Sequence, residues 1–73
     1  MIRVIRVKVV DRNGYGKSGY KVKVYGGQEV KTDREGTAVV EAKNSSVAIY
    51  VEGATAYDGY TSSCPNPLIV TRG

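Results

Sequence analysis

The sequence predicts an all-β fold, an antiparallel β-sandwich of about seven short strands. Three observations carry this. Apolar residues recur with period two rather than 3.6, and side chains alternate faces along a strand. The chain is rich in valine, threonine and tyrosine, with twelve valines and six tyrosines among 73 residues, and these residue types suit a pleated sheet. Turn signals follow one another every eight to twelve residues, the spacing of a sandwich or small barrel. No segment fits a helix of useful length.

The strands follow in order. From Arg3 to Val10 the residues Ile5, Val7 and Val9 share one face, and Arg6 and Lys8 share the other. This is the pattern of a half-buried strand. Asp11 to Gly19 is a turn region with an Asn-Gly pair and two further glycines. Tyr20 to Tyr25 alternates again, with Tyr20, Val22 and Val24 inward and Lys21, Lys23 and Tyr25 outward. Gly26-Gly27 ends that strand, and Glu29 to Thr32 is a short third one. Asp33-Arg34-Glu35-Gly36 suits a type I turn, with Asp first and Gly last. Thr37 to Ala42 resumes the ladder with Ala38 and Val40 inward. Val47, Ile49 and Val51 then alternate with Ala48, Tyr50 and Glu52. Gly53 to Gly59 is predicted as a longer loop, with at most a short strand around Thr55. Pro65 and Pro67 keep any central strand away from Asn66, and Leu68 to Thr71 is the last strand. The expected core is Ile5, Val7, Val9, Tyr20, Val22, Val24, Val40, Val47, Ile49 and Val51.

Residues 1–73 form one domain, since a chain this short does not split into two cores. Thirty residues are apolar, and the chain has no histidine, tryptophan or phenylalanine and one cysteine. That composition excludes histidine catalysis, two-histidine and multi-cysteine zinc sites and an internal disulfide. Eleven basic residues stand against seven acidic ones, a net charge of +4. This favours solubility and weak attraction to anions, without the dense basic run of a dedicated nucleic-acid binder. Arg3, Arg6, Lys8 and Arg12 are spread as on the wet face of a strand. No signal-peptide segment and no stretch of membrane-spanning length is visible. The expectation is a small cytoplasmic protein if the chain is complete, or a domain excised from a larger one.

Two fragments together resemble a known family. The first is Val7-x-Val-Val-Asp-x-x-Gly followed by Gly19-Tyr-x-Val-x-Val. The second is Thr32-Asp33-Arg34-Glu35-Gly36-Thr37-Ala38-Val39-Val40. Their order and spacing are similar to the transthyretin-like (prealbumin-like) β-sandwich, an Ig-like architecture. That group includes the carboxypeptidase regulatory-like domain and the collagen-adhesin B-type repeat. Tyr57-Asp58-Gly59-Tyr60 resembles a later segment of the adhesin repeats. The resemblance covers roughly three quarters of the chain, and it rests on turns, which report fold better than function. Lys17 departs from it, near where many members carry proline. The resemblance implies an accessory module: a stalk, a spacer, an adhesion unit or a folding partner. Relatives of transthyretin include a hydrolase of a purine-breakdown intermediate, which depends on histidines that this chain lacks.

Several features invite a chemical reading. Gly14-Tyr15-Gly16-Lys17-Ser18 ends like a phosphate-binding loop. The glycine expected five residues earlier is Asp11, and a strand follows in place of a helix. Adhesin repeats also imply an intramolecular isopeptide bond, for which the candidates are Lys8, Glu52 and Asn66. The lysine position of that pattern is Val9 here, and Lys8 alternates to the polar face. Asp11, Asn13, Asp33, Glu35 and Asp58 lack the calcium-loop spacing and read as turn residues that bond their own backbone. Asn44-Ser45-Ser46 has the glycosylation pattern but reads as a turn. Cys64 has no histidine to activate it.

The remaining candidate site is the wet face bearing Lys21, Lys23, Tyr25 and Tyr50. Tyrosine packs its ring while its hydroxyl stays wet, which suits interfaces. The expected function is a non-catalytic structural or protein-binding module without a cofactor. It acts through this face or through a sheet edge, since open edges recruit other strands. The alternative is a small single-stranded nucleic-acid binder that stacks bases on the same tyrosines between the same lysines. Oligomeric state is not legible from the sequence.

Overall fold

The computed structural model describes residues 2–72. It contains seven strands: β1 (Arg3–Val10), β2 (Lys21–Val24), β3 (Glu29–Lys31), β4 (Thr37–Ala42), β5 (Ser46–Val51), β6 (Ala54–Tyr60) and β7 (Leu68–Thr71). One 3₁₀ turn, Thr61–Ser63, precedes β7. The strands form a three-stranded sheet of order β4-β1-β7 and a four-stranded sheet of order β3-β2-β5-β6. Their inner faces share one core, with Ile5, Val7, Val9 and Val40 from the first sheet and Val22, Val24, Val47, Ile49 and Val51 from the second. The fold is therefore all-β and sandwich-like.

Most pairings are antiparallel, but β1 and β7 run parallel, with Val7 opposite Leu68 and Val10 opposite Thr71. This corrects the expectation of a wholly antiparallel arrangement. The long connection from β6 through Asn66 gives the chain room to return in the same direction as β1, as a parallel pairing requires. Asn66 prepares the entry. Its side-chain Oδ1 accepts from the Arg6 amide at 3.0 Å, and its Nδ2 donates to the Val4 carbonyl at 2.9 Å. The amide thus occupies the β1 edge just before β7 begins.

Residue Gly53 does not open a long loop. Val51 pairs directly with Ala54, and Glu52 (φ 50°) and Gly53 (φ 82°) make a two-residue hairpin. Positive φ at both positions is the type I′ requirement. The strand that follows, β6, carries a bulge opposite Ile49/Tyr50 and buries no residue fully.

Two other expectations change. Arg3 belongs to the inward register of Ile5 and Val7, opposite the buried Ala42, and its Nη1 donates to the Thr61 carbonyl across the end of the sandwich. Arg72 does the same at the other end, reaching from the three-stranded sheet to the Val51 carbonyl at 2.8 Å. Tyr20 precedes β2 and is half-buried, packed against the core rather than within it.

The two Asp-x-x-Gly segments fold alike. In each, one aspartate Oδ1 accepts the amides two and four residues on: Asn13 and Tyr15 for Asp11, Glu35 and Thr37 for Asp33. In each the glycine amide donates to the aspartate carbonyl. The loops meet where Gly16 crosses Gly36. A Cβ on Gly36 would lie 2.6 Å from the Val9 carbonyl oxygen and 2.7 Å from the Gly16 Cα. Thr32 locks the neighbouring segment, donating to the Lys17 carbonyl at 2.6 Å and accepting from the Tyr20 amide at 2.9 Å.

Candidate functional site

The outer face of the four-stranded sheet brings the four sequence-predicted residues together. Burial of Val22 and Val24 forces Lys21 and Lys23 outward on β2. Lys23 stands directly opposite Tyr50 on β5, because Val22 pairs with Val51 and Val24 with Ile49. Tyr25 continues the same alternation one residue beyond β2, its amide donating to the Ala48 carbonyl. Lys21, Lys23, Tyr25 and Tyr50 line one open groove of about 600 Å³, together with Glu29 and Glu52.

The four differ in freedom. Tyr25 is 77% exposed, whereas Tyr50 is half-buried between neighbouring strands. Glu29 lies opposite Lys23 on β3. Glu52 is fixed: its Oε2 accepts from the Lys21 amide at 2.6 Å, and its own amide donates to the Lys21 carbonyl at 2.8 Å. The groove therefore has a rigid acidic end, a central lysine–tyrosine pair and a freely exposed tyrosine at its other end. Its two ammonium groups are matched by two carboxylates.

Sequence reasoning placed Glu52 on the same outward alternation as Tyr50 without counting it in the site, and it missed Glu29. It also missed Tyr60, which is 71% exposed and pairs with Ser46 on the same face. The signal for Tyr60 was the alternation of Tyr57-Asp58-Gly59-Tyr60, hidden because the bulge puts it out of step with Ala54 and Thr55.

The other candidates separate. The segment resembling a phosphate loop is occupied by the chain itself: the Lys17 amide donates to the Val9 carbonyl, and Gly16 bridges Val10. Lys8 and Asn66 are both on the three-stranded sheet, but the Asn66 amide is spent on β1 backbone. Glu52 lies on the opposite sheet, so the three groups of an isopeptide site do not converge. Among the described residues no cluster of three or more carboxylate or thiol groups is placed to hold a metal ion. The Asp33 carboxyl is held below its ordinary value by the Thr37 and Glu35 amides, as a turn-forming acceptor would be. Cys64 is buried at the end of the sandwich, and that burial pushes its thiol pKa up, opposed by the Arg3 charge. Among the described residues no helix is long and apolar enough to cross a membrane.

Compared with known proteins, the chain matches no family model, no curated protein and no solved structure.

Proposed function

We propose that this chain is a non-catalytic protein-binding module of transthyretin-like build, which engages its partner through the groove of Lys21, Lys23, Tyr25 and Tyr50. The fold part of this reading is supported by the paired sheets and by the two Asp-x-x-Gly turns at the family-like positions. The functional part rests on one observation, the charge balance of the groove. Two lysines face two glutamates around two tyrosines. A nucleic-acid groove gains its affinity from unopposed cations along the phosphate backbone. Glu29 and Glu52 would repel that backbone at the very place where the lysines attract it. Mixed charge around aromatic side chains suits a protein surface carrying both signs. This favours the protein reading over the single-stranded nucleic-acid alternative.

The test is selection of peptides from a displayed library on the immobilised protein, followed by amide NMR mapping of the selected peptides. The expected result is shifts confined to the groove and loss of binding in the Tyr25→Ala/Tyr50→Ala double variant, with a dispersed spectrum retained. Selected peptides that bind the double variant equally well would place recognition elsewhere. A parallel titration with a short oligothymidylate should leave the groove amides unmoved. Salt-sensitive shifts at Lys21 and Lys23 would move the assignment to nucleic acid.

A further inference from the structure

The outer faces of the two sheets differ in kind. On the four-stranded sheet the outward positions are Lys21, Lys23, Glu29, Lys31, Tyr50 and their polar neighbours. Among the described residues, the four exposed large aliphatic ones, Ile2, Val4, Val39 and Ile69, belong to the three-stranded side and are 49–61% exposed. They are interleaved with Arg6, Lys8 and Glu41 on that face, a mixture of apolar and charged groups of the kind a weak protein contact uses.

The register of β1 and β4 shows what fits there. Val4 stands opposite Glu41, and Arg6 stands opposite Val39. These four outward residues form a square in which the valines occupy one diagonal and the opposite charges the other. Reflecting the square through the valine diagonal exchanges Arg6 with Glu41. A two-fold axis lying in the plane between two facing sheets performs that reflection. It sets Val4 on Val4 and Val39 on Val39 of the second copy, and it brings each Arg6 to the other copy's Glu41. The strands of the two copies then cross steeply, as in orthogonal sheet packing. Lys8 and Ile69 fall at the rim, so no like charges are buried together.

We propose that the outer face of β4-β1-β7 is a self-association surface, whose occupant is a second copy of this chain in the two-fold arrangement just described. An isologous contact must be self-complementary, and the valine and Arg6–Glu41 diagonals meet that condition. The contact is weak. A standard interface takes about 800 Å² from each partner, roughly a sixth of this chain's 4743 Å², and three short strands offer less. A small, partly polar contact of this kind belongs with transient associations, for which dissociation constants of about 10 μM to 1 mM are expected.

The experiment is sedimentation equilibrium of the full chain up to about 1 mM, the upper end of that affinity range. It is repeated for Arg6→Glu, for Glu41→Arg, for their equimolar mixture and for Val39→Lys, each first shown to have a dispersed NMR spectrum. Wild type should reach a monomer–dimer equilibrium. Arg6→Glu and Glu41→Arg should each weaken it about tenfold or more by placing like charges together, and Val39→Lys should abolish it. The mixture should associate at least as well as wild type, because each copy then supplies the charge the other lacks. Net charge alone predicts otherwise for Arg6→Glu, which lowers the chain from +4 to +2 and would relieve general repulsion. A wild-type monomer at the highest concentration, or association that the mixture does not restore, overturns the proposal.

Discussion

Replacing Gly36 by alanine tests the crossing of the two Asp-x-x-Gly loops, and the structure supplies its own control. Gly14 and Gly36 hold the same place in equivalent turns, at φ 87° and 84°. Either substitution therefore forces an L-residue into the left-handed region, at a cost of about 1–2 kcal/mol. Their surroundings differ. An added Cβ at Gly14 meets nothing within 4 Å, whereas at Gly36 it lies 2.6 Å from both the Lys17 nitrogen and the Val9 oxygen. Those atoms are backbone and are themselves joined by a 2.8 Å hydrogen bond, so they cannot move aside independently. Overpacking of this kind adds about 1–3 kcal/mol. Gly14→Ala should cost about 1 kcal/mol and Gly36→Ala about 3–4 kcal/mol. A domain of this size has roughly 4–11 kcal/mol of stability in total. Urea unfolding gives both values, and the Gly36 variant should melt about 12–30 °C below wild type. Equal costs within about 0.5 kcal/mol, the usual additivity error, would mean that the loops do not cross as closely as described.

Two further outcomes follow from the same end of the molecule. Thr32→Val keeps the shape but strands the Tyr20 amide and the Lys17 carbonyl, and should cost about 2–3 kcal/mol in urea unfolding, while Thr32→Ser should cost about 1 kcal/mol; a valine variant as stable as the serine one would show that the hydroxyl bonds contribute nothing. The Asp33 carboxyl titrates below its ordinary 3.8 in the folded chain because the Thr37 and Glu35 amides stabilise its charged form. Its contribution to stability is therefore complete above the unfolded value and is lost as pH falls from 3.8 through the lower folded value. Asp33→Asn keeps an acceptor oxygen and removes the titration, so its melting temperature should fall less steeply than wild type on acidification through that window; parallel slopes would remove Asp33 from the acid sensitivity.

What the sequence revealed depended on whether each strand buries one face completely. In β1, β2 and β5 the inward positions are Val or Ile and the core closes over them, so period two exposed both the strands and the lysine–tyrosine face. In β6 the residues packed against the core are the neighbours Ala56 and Tyr57, a bulge interrupts the period, and Glu-Gly stands where Asn-Gly or Asp-Gly would announce a hairpin. The strand therefore read as a loop. Parallel pairing of β1 with β7 is set by contacts some sixty residues apart, and no local pattern carries it. Val10 is buried although it follows the inward Val9, because the chain folds back and bridges it through Gly16. Arg3 read as a surface charge because its reach to Thr61 depends on where the 3₁₀ turn lies. The groove was legible in Lys21, Lys23, Tyr25 and Tyr50, and Glu52 shared their outward alternation, but the pairing of Glu29 with Lys23 was not, because mutual charge balance is a property of neighbouring strands and not of one.

The two proposed contacts lie on opposite sides of a single layer of core. Substitutions on one face sit too far from the other to share partners with it, so their effects should add. Pairing through β4-β1-β7 also leaves both grooves outward, because each copy turns its four-stranded sheet away from the contact. A partner that offers two binding segments meets two grooves at a fixed separation, and its second binding step becomes intramolecular. The weak contact between copies and the binding at each groove then reinforce one another, by the same factor in either direction. Association of the chain should therefore tighten in the presence of a bivalent peptide and stay unchanged with the monovalent one. The monovalent peptide fills a groove without favouring either the single or the paired state, and a ligand with equal affinity for two states shifts neither.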